Sequence, residues 1–92
     1  MYLEIVSPEA TLFAGEVDSV TVPGINGEFQ MLKDHAPIVS LLQQGKVVVD
    51  GTISIAEEYQ DKFTKDAKGR TVLAITSGTV EMKGNKAIVL AD

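Results

Sequence analysis

Apolar and polar residues alternate along most of the 92-residue chain, with the period of two that is typical of β-strands. Leu3 and Ile5 share one face of the first such stretch, and Val20 and Val22 share one face of a later one. Successive side chains of a strand point to opposite sides of a sheet, so these residues are predicted to face a common core. Turns that contain glycine or proline separate the stretches. The pattern therefore predicts an all-β fold, an antiparallel sandwich or barrel of short strands.

Two dipeptides predict tight hairpins. Asp50-Gly51 separates an alternating stretch, Lys46–Asp50, from a second one, Thr52–Ile55, and Asp-Gly is a strong signal for a two-residue hairpin turn. Gly84-Asn85 is predicted to join the last two strands of the chain, the second of which ends at Leu90.

A stiff corner is predicted between two strands near the middle of the chain. Phe29 lies in an alternating stretch that runs into Asp-His-Ala-Pro, where His35 is the only histidine of the protein. Pro37 fixes its own φ and pushes Ala36 out of the helical region, so the corner should be extended. The apolar run that follows, Ile38–Leu42, is predicted to be a buried strand or a turn.

The charged segment from Ala56 to Gly69 lacks the alternation. The spacing of four apolar residues is helical and would give a narrow apolar stripe: Ala56, Tyr59, Phe63 and Ala67. Two oppositely charged pairs are spaced as favourable helical ion pairs, Glu58 with Lys62 and Asp61 with Lys65. Two interpretations stay open for this segment: a short inserted helix, or an extended hairpin with a mobile polar tip.

Composition limits the classes of partner. The chain has 8 basic and 13 acidic residues and a net charge of -5, which argues against nucleic acid or an anionic membrane surface as a partner. It has no cysteine, hence neither disulfides nor a thiolate metal site. No signal peptide is visible, and no apolar run approaches the roughly 18 residues of a membrane span. Residues 1–92 are predicted to form one domain.

Candidate chemistry is sparse. Asp34 and His35 are adjacent, so in extended backbone their side chains point apart and do not form an acid–base pair. Ser40 and Ser77 lack the context of a nucleophile elbow. One histidine does not make a typical metal site, and the glycines are spread among turns rather than grouped in a phosphate-binding loop. We therefore predict no catalytic residue, no metal and no cofactor.

Several short motifs, taken in order, are similar to a known family. They are Leu3-Glu4-Ile5-Val6-Ser7-Pro8, Phe13-Ala14-Gly15-Glu16-Val17, Val20-Thr21-Val22-Pro23-Gly24, Gly27-Glu28-Phe29, His35-Ala36-Pro37, Gly45-Lys46-Val47, Thr76-Ser77-Gly78-Thr79-Val80-Glu81 and Val89-Leu90-Ala91-Asp92. In this order the chain resembles the N-terminal β-sandwich domain of the epsilon subunit of bacterial-type ATP synthase, called delta in mitochondria. The resemblance covers nearly the whole chain except the charged 56–69 segment.

The resemblance narrows the fold to a flattened antiparallel sandwich of about ten short strands, and it implies a place in the rotor's central stalk. It implies two partners, the gamma subunit along one side and the membrane c-ring at one end. Carried onto this sequence, the gamma contacts are Ser7, His35, Ala36 and Pro37. The c-ring contacts are Asn26, Gly27 and Glu28 in a turn. Membrane association would come only through the complex, on the cytoplasmic side of the bacterial inner membrane.

The resemblance further implies a non-catalytic subunit that couples proton or sodium flow to ATP synthesis. The family's usual second domain, a C-terminal pair of helices, inhibits ATP hydrolysis and binds ATP in some members. The sequence stops at Asp92, where that pair would begin, which puts inhibition and nucleotide binding in doubt. Either the natural subunit is short or the sequence is a truncated form.

A second class of protein competes with this interpretation. Lipoyl and biotinyl carrier domains are also small, acidic and all-β, and they carry a modified lysine at a hairpin tip. Lys65 in the 64–68 segment faintly resembles such a lysine, although the local pattern and the long polar segment do not fit. A small ligand-binding sandwich is the third alternative, without any residue that specifies the ligand.

Overall fold

The computed structural model describes all residues from Met1 to Asp92 and contains ten β-strands and one 3₁₀ helix. In chain order the strands are β1 (Tyr2–Val6), β2 (Thr11–Glu16), β3 (Ser19–Gly24), β4 (Gly27–Leu32), β5 (Ile38–Leu42), β6 (Gly45–Asp50), β7 (Phe63–Lys65), β8 (Thr71–Ile75), β9 (Gly78–Lys83) and β10 (Lys86–Ala91). The 3₁₀ helix spans Glu57–Lys62. No helix in the structure has both the length and the apolar character needed to cross a membrane.

All ten strands belong to one hydrogen-bonded sheet, which confirms the all-β prediction. Its order is β2-β1-β10-β9-β5-β3-β6-β8-β7, and β4 pairs with β3 outside this path. Every pair is antiparallel except β1 with β10, which is parallel. These two strands come from opposite ends of the chain, so no short turn imposes an antiparallel direction on them.

A single residue pair joins the two halves of the sheet. Gly24 of β3 pairs with Leu42 of β5, and no other register pair connects these strands. The sheet can therefore fold over at this line, so that β2-β1-β10-β9-β5 and β4-β3-β6-β8-β7 form two layers. The inward residues of both layers make one core of 19 buried side chains. Leu3, Ile5 and Val20 are completely buried in it, as the alternation predicted.

The two predicted hairpins have different outcomes. Gly84 and Asn85 have φ values of 58° and 61°, the positive values of a type I′ turn, and they join β9 to β10 as predicted. The Asp50-Gly51 hairpin is wrong, because Thr52–Ile55 forms no strand. The physical reason lies in β6, which pairs with β3 on one edge and β8 on the other, so neither edge is free for a returning strand.

The 56–69 segment combines features of both interpretations. Its helix is 3₁₀ and ends at Lys62 rather than continuing to Gly69, and β7 and β8 then form a hairpin. Of the predicted apolar stripe, Tyr59 and Phe63 are half-buried against the core, whereas Ala56 and Ala67 are exposed. Neither predicted ion pair, Glu58–Lys62 or Asp61–Lys65, is among the three ion pairs of the protein.

Asp66 closes the tip of the β7–β8 hairpin, a role that the sequence analysis missed. Its Oδ1 accepts hydrogen bonds from the amides of Lys68 at 3.0 Å and Arg70 at 2.8 Å. Its Oδ2 accepts another from Nε of Arg70 at 2.7 Å. The tip is thus a turn organised around one carboxylate.

The expectation of a buried run at Ile38–Leu42 is wrong for two of its five residues. The segment is strand β5, and Val39 and Leu41 are 73% and 59% exposed. In a strand only alternate residues can face the core, and nothing covers the opposite side of β5.

Gly78 is expected to tolerate no side chain. A Cβ atom there would lie 2.2 Å from the carbonyl oxygen of Leu90 on the neighbouring strand, a backbone atom that cannot move alone. Gly78→Ala should therefore lower the free energy of unfolding by about 2–3 kcal/mol, measured by urea denaturation. Gly15→Ala is the matched control, because its new Cβ would meet only the end of the Phe13 ring, at 3.1 Å. An equal loss in both variants would contradict the prediction.

The Asp66 turn should give the protein a defined sensitivity to acid. Desolvation raises the pKa of Asp66, but hydrogen bonds from the Arg70 amide, the Arg70 guanidinium and the Lys68 amide together hold that pKa below its ordinary value of 3.8. Because the folded-state pKa is the lower one, the ionised carboxylate stabilises the fold above the ordinary value. That contribution disappears as the pH falls through the folded-state pKa.

The difference in free energy of unfolding between wild type and Asp66→Asn is therefore expected to stay constant above about pH 5 and to shrink below about pH 4. Denaturant titrations across this range measure it. Asp61→Asn, which removes an exposed carboxylate from the 3₁₀ helix, should unfold like the wild type at neutral pH. A difference between wild type and Asp66→Asn that does not change with pH would show that the Asp66 charge is irrelevant to the turn.

Candidate functional site

The predicted c-ring contacts form the tip of the β3–β4 hairpin. Gly24 pairs with Gly27, so only Ile25 and Asn26 lie between the two strands. Gly27 has a φ of 123°, which a side chain would strain, and a Cβ on Gly24 would lie 2.8 Å from the Gly27 carbonyl oxygen. The four residues 25–28 are all exposed, and even the apolar Ile25 is 51% exposed. The hairpin thus presents a compact protruding surface, here called the tip.

The residues between β4 and β5 form a tied corner. Asp34 has a φ of 65°, and the amide of His35 donates a hydrogen bond to the Leu32 carbonyl at 3.1 Å. The Asp34 amide donates to Oδ1 of Asn85 in the β9–β10 turn, at 3.3 Å. The corner is therefore anchored to a turn distant in sequence, in addition to the restraint that proline supplies.

The His35 ring is engaged locally. It is half-buried, and its Nδ1 lies 2.7 Å from the carbonyl oxygen of Ala36. No carboxylate bonds to the ring, and no group of three or more His, Asp or Glu side chains in the protein is placed to hold a metal ion. Ala36 and Pro37 are exposed. The corner offers a shaped surface rather than an assembled acid–base pair.

Ser7 closes the connection between β1 and β2. Its amide donates to the Ala10 carbonyl at 2.8 Å, and the Ala10 amide donates back to the Ser7 carbonyl at 3.3 Å. The single proton of the Ser7 hydroxyl is shared between two acceptors, the same Ala10 carbonyl at 3.2 Å and Glu9 Oε2 at 3.4 Å. The side chain is half-buried, and its hydroxyl is already used within the turn.

Ser7 and the corner lie at opposite ends of the sheet. Strand pairing links Val6 to Leu90, Leu90 to Thr79 and Thr79 to Leu41, and the next residue of β5 pairs with Gly24. Ser7 therefore lies at the same end as the tip, called the tip end. The corner, tied to the β9–β10 turn, lies at the other end, called the corner end. Strand β4 has six residues, which separates the two ends by about 20 Å.

The outward side of β1, β10, β9 and β5 connects the two ends and carries exposed apolar side chains. We call it the outer face. Val39, Leu41 and Leu90 are 73%, 59% and 50% exposed, and Val6 and Ile88 are half-buried beside them. The register places Leu41, Thr79, Leu90 and Val6 in one row across four strands, and Val39, Glu81, Ile88 and Glu4 in the next.

Charge varies along the outer face. At the corner end Lys83 and Lys86 are direct partners across the β9–β10 hairpin. Nζ of Lys86 lies 3.0 Å from a carboxylate oxygen of Glu4 and 5.6 Å from the centre of the Tyr2 ring. The row nearest the tip end, which runs from Leu41 to Val6, has no charged residue. The face is thus apolar towards the tip end and basic towards the corner end.

The structure does not favour the carrier-domain alternative. Lys65 lies within β7, paired with Thr71, and its Nζ donates a hydrogen bond to the Thr71 hydroxyl at 2.9 Å. The connection between β7 and β8 begins only at Asp66, and the turn held by the Asp66 carboxylate fills it. A carrier lysine must stand free at a tip, so Lys65 is misplaced for that role.

The outer face cannot be recognised in the sequence. Its apolar residues belong to alternating strands, and a pattern of period two identifies two sides without saying which side is covered. The exposure of neighbouring apolar residues on adjacent strands could be found only once the strand order was known.

The chain is similar to known proteins over its whole length. A family model described as "ATP synthase, Delta/Epsilon chain, beta-sandwich domain" matches residues 1–92. An ATP synthase epsilon chain of Chlorobaculum tepidum is 40% identical over 90 residues, which is 98% of this chain and 86% of the relative. One of Chlorobium limicola is 39% identical with the same coverage. One of Desulforamulus reducens is 36% identical over 98% of this chain and 57% of its own.

Solved structures share the fold at low identity. A chain in the Tetrahymena thermophila mitochondrial ATP synthase structure of the central stalk and c-ring has a TM-score of 0.71 at 12% identity, over 98% of this chain and 61% of its own. A chain in the Euglena gracilis mitochondrial enzyme has a TM-score of 0.73 at 16% identity, over 97% of this chain and 48% of its own. The arrangement of strands is therefore shared with proteins of very different sequence.

Proposed function

The chain belongs to the ATP synthase delta/epsilon β-sandwich family, and we propose that it is a non-catalytic rotor subunit that joins the gamma subunit to the c-ring. The observation that carries this proposal is the match of the family over all 92 residues together with epsilon-chain relatives of similar extent. In this role the subunit couples the flow of protons or sodium ions to ATP synthesis. It lies peripherally on the cytoplasmic side of the bacterial inner membrane, attached through the complex alone.

The gamma subunit is proposed to bind along the outer face. A patch of neighbouring exposed apolar side chains is unfavourable in water, and covering Val39, Leu41 and Leu90 would remove that cost. The face runs from Ser7 at the tip end to His35, Ala36 and Pro37 at the corner end, so one elongated partner can contact all of them. This arrangement supports the role that the resemblance gave to these separated residues.

The c-ring is proposed to bind the tip. Asn26, Gly27 and Glu28 are exposed, and they stand at the end of the sheet remote from the corner. Glu28 takes part in none of the three ion pairs of the protein, so its carboxylate is available to a polar or basic loop of the ring. Ile25, in the same turn, adds one exposed apolar side chain to this surface.

The sheet itself would carry force between the two sites. Strand β4 leads from the tip to the corner, and β5 returns along the outer face to Leu42, which pairs with Gly24 at the base of the tip. A load applied at the tip therefore passes into strands that are hydrogen-bonded to neighbours, β4 to β3 and β5 to β9. These strands cannot slide without breaking those bonds. The continuous sheet also supports the proposal that residues 1–92 form one domain that moves as a body.

Binding of gamma should depend on the outer face. With purified gamma subunit, calorimetry of the wild-type chain is expected to give saturable binding, and Leu41→Asp is expected to weaken it at least about 100-fold, because a charge replaces an apolar contact. Leu41 is exposed, so the fold should persist, as circular dichroism would verify. Thr64→Asp on β7, at the far edge of the sheet, is the control and should bind normally. Absence of wild-type binding would refute the proposed partner.

The corner should act by shape rather than by proton transfer. Pro37→Gly releases the backbone restraint and is expected to weaken gamma binding about tenfold, because the loosened segment must be ordered again on binding. His35→Gln keeps a hydrogen-bonding side chain and should leave ATP hydrolysis and synthesis by the assembled complex unchanged. Loss of turnover in His35→Gln with normal assembly would instead indicate a chemical role for the ring.

A further inference from the structure

Glu81 occupies an unusual place on the outer face. It lies on β9 and is exposed, with Val39 directly opposite on β5 and Ile88 directly opposite on β10. Opposed residues of neighbouring strands bring their Cβ atoms within about 5.5 Å, so the carboxylate is flanked by apolar side chains on both sides. Val39 is itself 73% exposed, which leaves this part of the face open to a partner.

The carboxylate has no cation of its own. The ion pairs of the protein are Met1–Glu16, Arg70–Asp66 and Lys86–Glu4, and Glu81 belongs to none of them. Lys86, the lysine of β10 on this face, is held by Glu4 and lies over the Tyr2 ring. In the free chain Glu81 is exposed to water, so its charge is solvated and needs no cationic partner.

Docking would change that balance. A partner that covers Val39 and Ile88 must also cover Glu81 between them, and it thereby removes water from the carboxylate. A desolvated charge without a partner is strongly unfavourable, whereas one that meets a guanidinium or ammonium group can add affinity and select the correct surface. The apolar residues alone cannot provide such selection, because burial of apolar surface is non-directional.

We propose that Glu81 is a specificity-determining residue of the docking face, which forms an ion pair with an arginine or lysine of the gamma subunit. The inference rests on the proposed function for the identity of the partner. It adds to that function the residue that fixes how the two surfaces align, Glu81, and the basic side chain that gamma must place opposite it.

The direction in which one substitution changes the affinity for gamma tests the inference. Glu81→Leu removes the charge and extends the apolar patch. If Glu81 meets a cation in the complex, Glu81→Leu should weaken gamma binding about 30-fold or more, because it leaves that cation buried and unpaired. If Glu81 is merely desolvated on docking and meets no cation, the same substitution should strengthen binding, and the inference would be overturned. Glu81→Gln, which keeps the shape, should lose about tenfold for the same reason.

Controls separate this inference from its premise. Glu58→Gln makes the same change of net charge on the 3₁₀ helix and should bind like the wild type. Thermal unfolding of each variant should match the wild type, since Glu81 is exposed and unpaired. Glu81→Lys should bind at least about 100-fold more weakly, and a charge-reversing change of one basic residue of gamma should restore its binding.

The outcomes distinguish two failures. Wild-type chain that does not bind gamma would refute the proposed function. Normal wild-type binding with undiminished binding by Glu81→Leu would refute only the role of Glu81.

Discussion

Burial of one side of a single folded sheet is the interaction on which the rest of this structure depends. A chain of this size has too few residues to build more than one core, and it builds that core from alternate positions of nearly every strand. Each inward residue requires an outward neighbour, so the core and the exposed surfaces are created together. The outer face is therefore a direct consequence of how the core is made.

The positions of the turns follow from the same constraint. Because the sheet folds over where Gly24 meets Leu42, the tip of the β3–β4 hairpin protrudes at one end while the corner is held at the other. The contact between Asp34 and Asn85 then joins the corner to the turn between the last two strands. Two surfaces suitable for different partners are thus held at a fixed separation by strands rather than by flexible loops.

The tip of the hairpin that follows the 3₁₀ helix shows how a polar segment can be ordered without a core of its own. Residues 66–70 contribute no buried side chain, yet the carboxylate of Asp66 gathers two amides and a guanidinium around itself. This device also explains why the segment fitted neither a helix nor a free tip. The short 3₁₀ helix is enough to bring Tyr59 against the core, and the backbone returns to strand at Phe63, which also packs there.

The sequence by itself determined the all-β class, the inward rows at Leu3 and Ile5 and at Val20, and the final hairpin at Gly84-Asn85, because these depend on local periodicity and turn geometry. Its ordered motifs also indicated the family. Only the tertiary structure decided that Asp50-Gly51 makes no hairpin, since both edges of β6 are taken by strands distant in sequence. It alone placed Ser7 and His35 at opposite ends and left Val39 and Leu41 uncovered, because the identity of a strand's neighbours depends on contacts that no local pattern encodes.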